Sequence, residues 1–94
     1  MQQALRPRNV PLIITYGEQL LHLGQAERAH ALLLDLMNNI PPTPEQVRLI
    51  ARAANDAGDY AESYYYMSEY ELMTGDLIGG IRYLQRALAL PELQ

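Results

Sequence analysis

Few side chains in this sequence have the types and spacing that chemistry needs. Its two histidines, His22 and His30, stand eight residues apart and fall on different helical segments. A zinc site takes three or four Cys, His or carboxylate ligands at short, recurring spacings. No Cys occurs, and no paired carboxylate accompanies either histidine at such a spacing. Both are expected on the surface, and neither a metal ligand nor a catalytic residue is assigned. HExxH, Walker, GxGxxG and GxSxG patterns are all absent, and no nucleophile stands in a recognisable relation to a base. The chain is therefore not expected to be an enzyme in its own right. Arg48 and Arg52 are better placed for binding. Four residues apart on a helix, they are neighbours on one face, and two guanidinium forks together can clamp a peptide C-terminus or an acidic side chain. The plainer alternative leaves both solvated, or paired with Glu45 and Asp56 on their own helix.

The tyrosines raise a second question, because five of the seven lie within the eleven residues Tyr60–Tyr70. Aromatics this dense could stack on bases, sit in a membrane interface or pack a helix. Base-stacking platforms pair aromatics with a positive groove, whereas the charges here are Asp59, Glu62, Glu69 and Glu71. The whole chain carries −4, which leaves no basic face to release counterions from a phosphate backbone. Nucleic acid is not an expected partner. No apolar run approaches the ~20 residues a bilayer span requires, so no membrane span is expected. Packing is the favoured role, with peptide or partner contact second.

Positioning these groups falls to helices. Ninety-four residues make one small domain, which buries only about 60–65% of the surface its unfolded chain exposes. Apolar residues recur at helical spacing almost throughout and never alternate with period two, so the fold class is all-α. Five helices are expected, near 9–23, 26–39, 44–57, 60–74 and 77–90. In the first, Leu12, Tyr16, Leu20 and Leu23 form a stripe that Gly24 ends. The second carries Ala29, Leu32, Leu33, Leu36 and Met37 on its inner face and stops at the Pro41, Pro42, Pro44 cluster. The third opens with Thr43 as N-cap, Pro44 at the first helical position and Gln46 set for a capping box. Its stripe is Val47, Ile50, Ala51 and Ala54. The fourth is apolar nearly all round, which predicts burial.

The elements repeat. Gly24 and Gly58 are 34 residues apart, as are Pro7 and Pro41, and 34 is the tetratricopeptide period. "YGEQLLHLGQAERAHALLLDLMNNIP" resembles that pattern, with Gly17 and Ala29 at the small contact positions, Gly24 at the turn and Pro41 closing the repeat. In the second repeat Ala51 and Gly58 match, Ser63 replaces the usual Ala, and Gly75 falls where Pro is usual. Gly58 and Gly75 differ by 17, half a repeat, and Gly80 takes the small-residue slot of the helix that follows. The organisation expected is a tail of a preceding repeat helix at 1–8, one repeat at 9–43, a second at 44–75, and a third at 60–94 shifted by half a repeat and sharing helix 60–74. Pro7 in a repeat-closing position, and the want of a polar capping helix at the other end, suggest a piece of a longer array.

The tetratricopeptide likeness implies a concave groove lined by the first helix of each repeat. Mapped onto this chain, that face is Ile14, Glu18 and Leu21 with Arg48, Arg52 and Asn55, and the implied partner is a protein or extended peptide. The far wall is placed near Tyr65, Glu69 and Leu72. More specifically, "LRPRNVPLIITYGEQLL" and "SEYELMTGDLIGGIRYLQRALALPEL" resemble the ends of the C-terminal tetratricopeptide domain of periplasmic zinc metallopeptidases of the HExxH type, including the beta-barrel assembly-enhancing protease. That resemblance implies a docking domain whose parent is a zinc endopeptidase acting in outer-membrane protein assembly or quality control. The implied partners are the parent's protease domain or outer-membrane assembly components. The zinc and its ligands would lie outside these residues, so no cofactor is assigned to this chain. The implied location is the periplasm; without the resemblance, a chain lacking a targeting signal would be cytoplasmic. The alternative is a free-standing tetratricopeptide adaptor.

Overall fold

The computed structural model describes residues 9–91, and the expectations for residues 1–8, Pro7 included, and for 92–94 lie outside them. Five helices follow one another: α1 (Val10–His22), α2 (Ala26–Asn39), α3 (Pro44–Asp56), α4 (Tyr60–Met73) and α5 (Leu77–Leu88). No strand occurs among the described residues. Each helix packs on the next in sequence, and α4 lies between α3 and α5. The protein is all-α, with the packing of a helical repeat array.

Local chemistry explains the punctuation. Gly24, Gly58 and Gly75 have φ of 75°, 88° and 92°, the left-handed conformation that glycine adopts at least cost. At each turn the N–H of the next residue reaches back to a carbonyl of the last helical turn: Gln25 to Leu20 at 2.8 Å, Asp59 to Ala54 at 2.8 Å, and Asp76 to Glu71 at 2.7 Å. These closures satisfy carbonyls that a helix end leaves orphaned. Asp59 and Asp76 then start the following helices by accepting from the backbone N–H of Glu62 and Gly79. A Gly-Asp pair thus stops one helix and caps the next. Thr43 and Gln46 form the reciprocal capping box of α3.

The core is built on small residues. Ala29, Val47, Ile50, Ala53 and Ala54 are fully enclosed. At Gly17 an added Cβ would lie 3.1 Å from Leu33 Cδ2, so the Leu33 side chain of α2 packs close against the bare backbone of α1. Gly80 plays the same part between α4 and α5, where a Cβ would lie 2.9 Å from Leu72 Cδ2 and 3.2 Å from the Ser68 carbonyl oxygen. Buried Ser63 donates from Oγ to the Ala51 carbonyl at 2.8 Å, which satisfies its hydroxyl inside the α3–α4 contact.

Two expectations need correction. The inner stripe of α1 is Ile13, Gly17, Leu20 and Leu21, while Leu12, Tyr16 and Leu23 are exposed. α1 carries apolar residues on more than one face, and the face containing Gly17 packs close against Leu33. Nor is α4 buried all round: Ser63, Tyr66 and Ser68 are enclosed, but Tyr60, Tyr65, Leu72 and Met73 are exposed. Its neighbours cover two sides of a three-sided apolar surface. The tyrosines still serve packing. Tyr64 meets Tyr83 with ring centroids 6.2 Å apart, and Tyr65 meets Tyr66 edge-on at 5.6 Å.

Candidate peptide-docking groove

Two helices, α1 and α3, line an open cleft. Its cavity of about 470 Å³ is lined by Ile14 and Glu18 of α1 together with Glu45, Arg48, Leu49 and Arg52 of α3. Ile14 and Arg48 are 34 residues apart, and so are Glu18 and Arg52. The 3.6-residue turn stacks each pair on its helix, and the repeat sets the two helices side by side.

Both arginines are exposed and only loosely engaged. The Arg48 guanidinium carbon stands 5.9 Å from the centroid of the Tyr70 ring, at the outer reach of a cation–π contact. Arg52 Nε is 3.9 Å from Asp56 Oδ2, with both side chains about half exposed. Exposed pairs of this kind contribute about 0–1 kcal/mol, so Arg52 can exchange Asp56 for a ligand at little cost. The cleft therefore offers two guanidinium forks, the apolar side chains of Ile14 and Leu49, and the carboxylates of Glu18 on α1 and Glu45 on α3. That set suits an extended peptide carrying a carboxylate near an apolar residue.

Two residues assigned to the groove stand elsewhere. Leu21 is buried in the core beside Leu20, because the turn of α1 that faces α2 is the one carrying both leucines. Asn55 is exposed but is not part of the cleft's lining. The far wall also differs: α4 reaches Arg48 through Tyr70, whereas Tyr65, Glu69 and Leu72 lie on another side of that helix. There the Tyr65 hydroxyl donates to Glu69 Oε2 at 2.8 Å. That hydrogen bond and the charge of Glu69, with some burial, raise the Tyr65 pKa. Burial, followed by Glu62, Tyr65, Glu69 and Asp59, pushes Tyr66 up to about 12.

The histidines divide. His22 is exposed, but His30 is half-buried, with Nε2 2.5 Å from Glu62 Oε1. Asp59 completes a group whose ligating atoms all lie within 4.8 Å of one another. His30 is thus neither a plain surface residue nor without carboxylates. The sequence hides this because Glu62 stands 32 residues away, on a different helix. His30 and Glu62 are bonded to each other, and Asp59 caps α4, so the arrangement serves as a tie between α2 and α4.

No helix among the described residues is long and apolar enough to cross a membrane. Comparison of the chain with protein-family models, curated proteins and solved structures finds no match in any of the three.

Proposed function

We propose that this chain is a non-catalytic protein-interaction module, a tetratricopeptide-like array that docks an extended peptide in the α1–α3 cleft. The observation that carries the reading is the meeting of Arg48 and Arg52 with Ile14 and Leu49 in one open cavity. Guanidinium forks bind carboxylates with charge-assisted hydrogen bonds, about twice as strong as neutral ones, and Ile14 and Leu49 take the neighbouring side chain. We further propose that the module is the docking domain of a periplasmic zinc metallopeptidase acting on outer-membrane protein assembly. Support for that step is the likeness of "LRPRNVPLIITYGEQLL" and "SEYELMTGDLIGGIRYLQRALALPEL" to such domains. An HExxH motif and a signal peptide encoded upstream in the same gene would support it; a gene holding neither would favour a free-standing adaptor. On this reading the chain itself neither cleaves protein nor retains stoichiometric zinc after dialysis.

The cleft is tested with fluorescent peptides that end in an apolar residue and carry either a free carboxylate or an amide. The carboxylate form is expected to bind at least about tenfold more tightly, since hydrogen bonds to charged groups are worth about 1.5–3 kcal/mol. Arg48→Ala with Arg52→Ala should abolish the difference and weaken the salt dependence while the helical circular dichroism persists. Unchanged binding in a folded double variant would refute the groove.

A further inference from the structure

The lining of the α1–α3 cleft carries charge of both signs. Besides Arg48 and Arg52 it contains Glu18 and Glu45, both exposed. Arg52 has Asp56 at 3.9 Å, and Arg48 has the Tyr70 ring at 5.9 Å. Among the described residues the ion pairs are His30–Glu62 and Arg52–Asp56, so neither Glu18 nor Glu45 is matched by a cation. Glu45 lies in the first turn of α3, where the helix dipole favours an acid. Glu18 lies in the body of α1 and has no such local task. A ligand with a carboxylate alone satisfies the arginines but brings its charge close to both acids. One that also carries a cation satisfies all four groups.

α3 sets the spacing such a ligand needs. Glu45, Arg48, Leu49 and Arg52 recur at helical spacing and share one face. At about 1.5 Å per residue, Glu45 stands about 4.5 Å along the axis from Arg48 and about 10.5 Å from Arg52. The midpoint of the two arginines is thus about 7.5 Å from Glu45, roughly the span of two residues of extended chain. Residues two apart in an extended chain point their side chains the same way. A peptide whose terminal carboxylate lies between Arg48 and Arg52 can therefore set its last side chain on Leu49 and Ile14. The side chain two residues earlier then falls beside Glu45.

We infer, on the basis of the docking role proposed above, that the cleft selects a dipolar peptide end: a free C-terminal carboxylate, an apolar last residue, and a Lys or Arg two residues before it. Glu18 and Glu45 set this specificity, attracting a cation at that place and repelling an acid. The probes are fluorescent synthetic peptides ending in Lys-Ala-Leu, Ala-Ala-Leu or Glu-Ala-Leu. A fourth carries its Lys eight residues before the end, and a fifth ends in Lys-Ala-Leu as an amide. In anisotropy titrations of the full chain at low salt, the Lys form should bind about three- to fivefold more tightly than the Ala form, as exposed ion pairs allow. The Glu form should bind more weakly than either. The distant-Lys peptide should match the Ala form, whereas attraction by the overall charge of −4 would act from both positions. Glu18→Gln with Glu45→Gln leaves only the arginine charges in the lining and should invert the order, so that the Glu form binds most tightly. Should that variant fail to fold, Glu18→Lys alone makes the same change of charge and should give the same inversion. Equal binding of the Lys, Ala and Glu forms, with the amide weaker, leaves the docking role standing and overturns the charge selection. Equal tightening by near and distant Lys overturns it too. If no peptide binds, or the amide binds as well as the carboxylate, the docking role itself fails and the selection with it.

Discussion

Replacing Gly17 with Leu tests the packing register most directly. A Cβ at this position would lie 3.1 Å from Leu33 Cδ2 and 3.3 Å from its Cγ, and Leu33 is only 2% exposed, so it cannot swing into solvent. Leucine adds three further carbons to the same space. Overpacking of this kind costs about 1–3 kcal/mol, and the upper end applies because the obstructing side chain is enclosed. Leaving glycine in a helix recovers about 0.8 kcal/mol of propensity. The net loss is about 2 kcal/mol, which for a domain of this size lowers the melting temperature by about 8–16 °C. Circular dichroism melts and urea titration measure it. The cause is isolated by adding Leu33→Ala, which opens the space: the double variant should be less destabilised than the sum of the singles by more than about 0.5 kcal/mol. An unchanged melting curve for Gly17→Leu, or strict additivity with Leu33→Ala, would refute the close α1–α2 approach.

Alkaline pH should destabilise the protein through Tyr66. Its folded pKa, about 12, lies above the ordinary 10.0, so the protonated fold is favoured and its stability is fully present below about pH 10. That stability should fall as pH rises from 10.0 toward about 12, and Tyr66→Phe should flatten the fall, as followed by denaturant midpoints across the range. Thr43→Ala removes the α3 capping box and should cost about 1 kcal/mol in urea unfolding. Ser63→Ala, which deletes the buried hydrogen bond to Ala51, should cost about 0.5–1.5 kcal/mol; a neutral result would mean that packing alone holds that contact.

Helices and turns were legible because their causes are local. The turn at Gly58 and the box at Thr43 and Gln46 each depend on atoms a few residues apart, so residue type and spacing alone determine them; the cap at Asp59 is equally local but became evident only from its hydrogen bond to the Glu62 N–H. The 34-residue period likewise aligned Ile14 with Arg48 and Glu18 with Arg52, and these four share one cleft. What the sequence left open concerns the rotation of each helix about its own axis. α1 has apolar residues on more than one face, and its packing, with Gly17 close against Leu33, turns Ile13 and Leu21 inward while Leu12, Tyr16 and Leu23 face out. That choice removes Leu21 from the groove. In the tyrosine helix, residues of one type differ only in which neighbour covers them, so Tyr66 is buried and Tyr65 is not. His30 and Glu62 meet across 32 residues, a contact that no local pattern specifies. Backbone hydrogen bonds act over one turn of chain, whereas side-chain packing depends on how far apart and at what rotation the finished helices settle, and only the tertiary structure decides that.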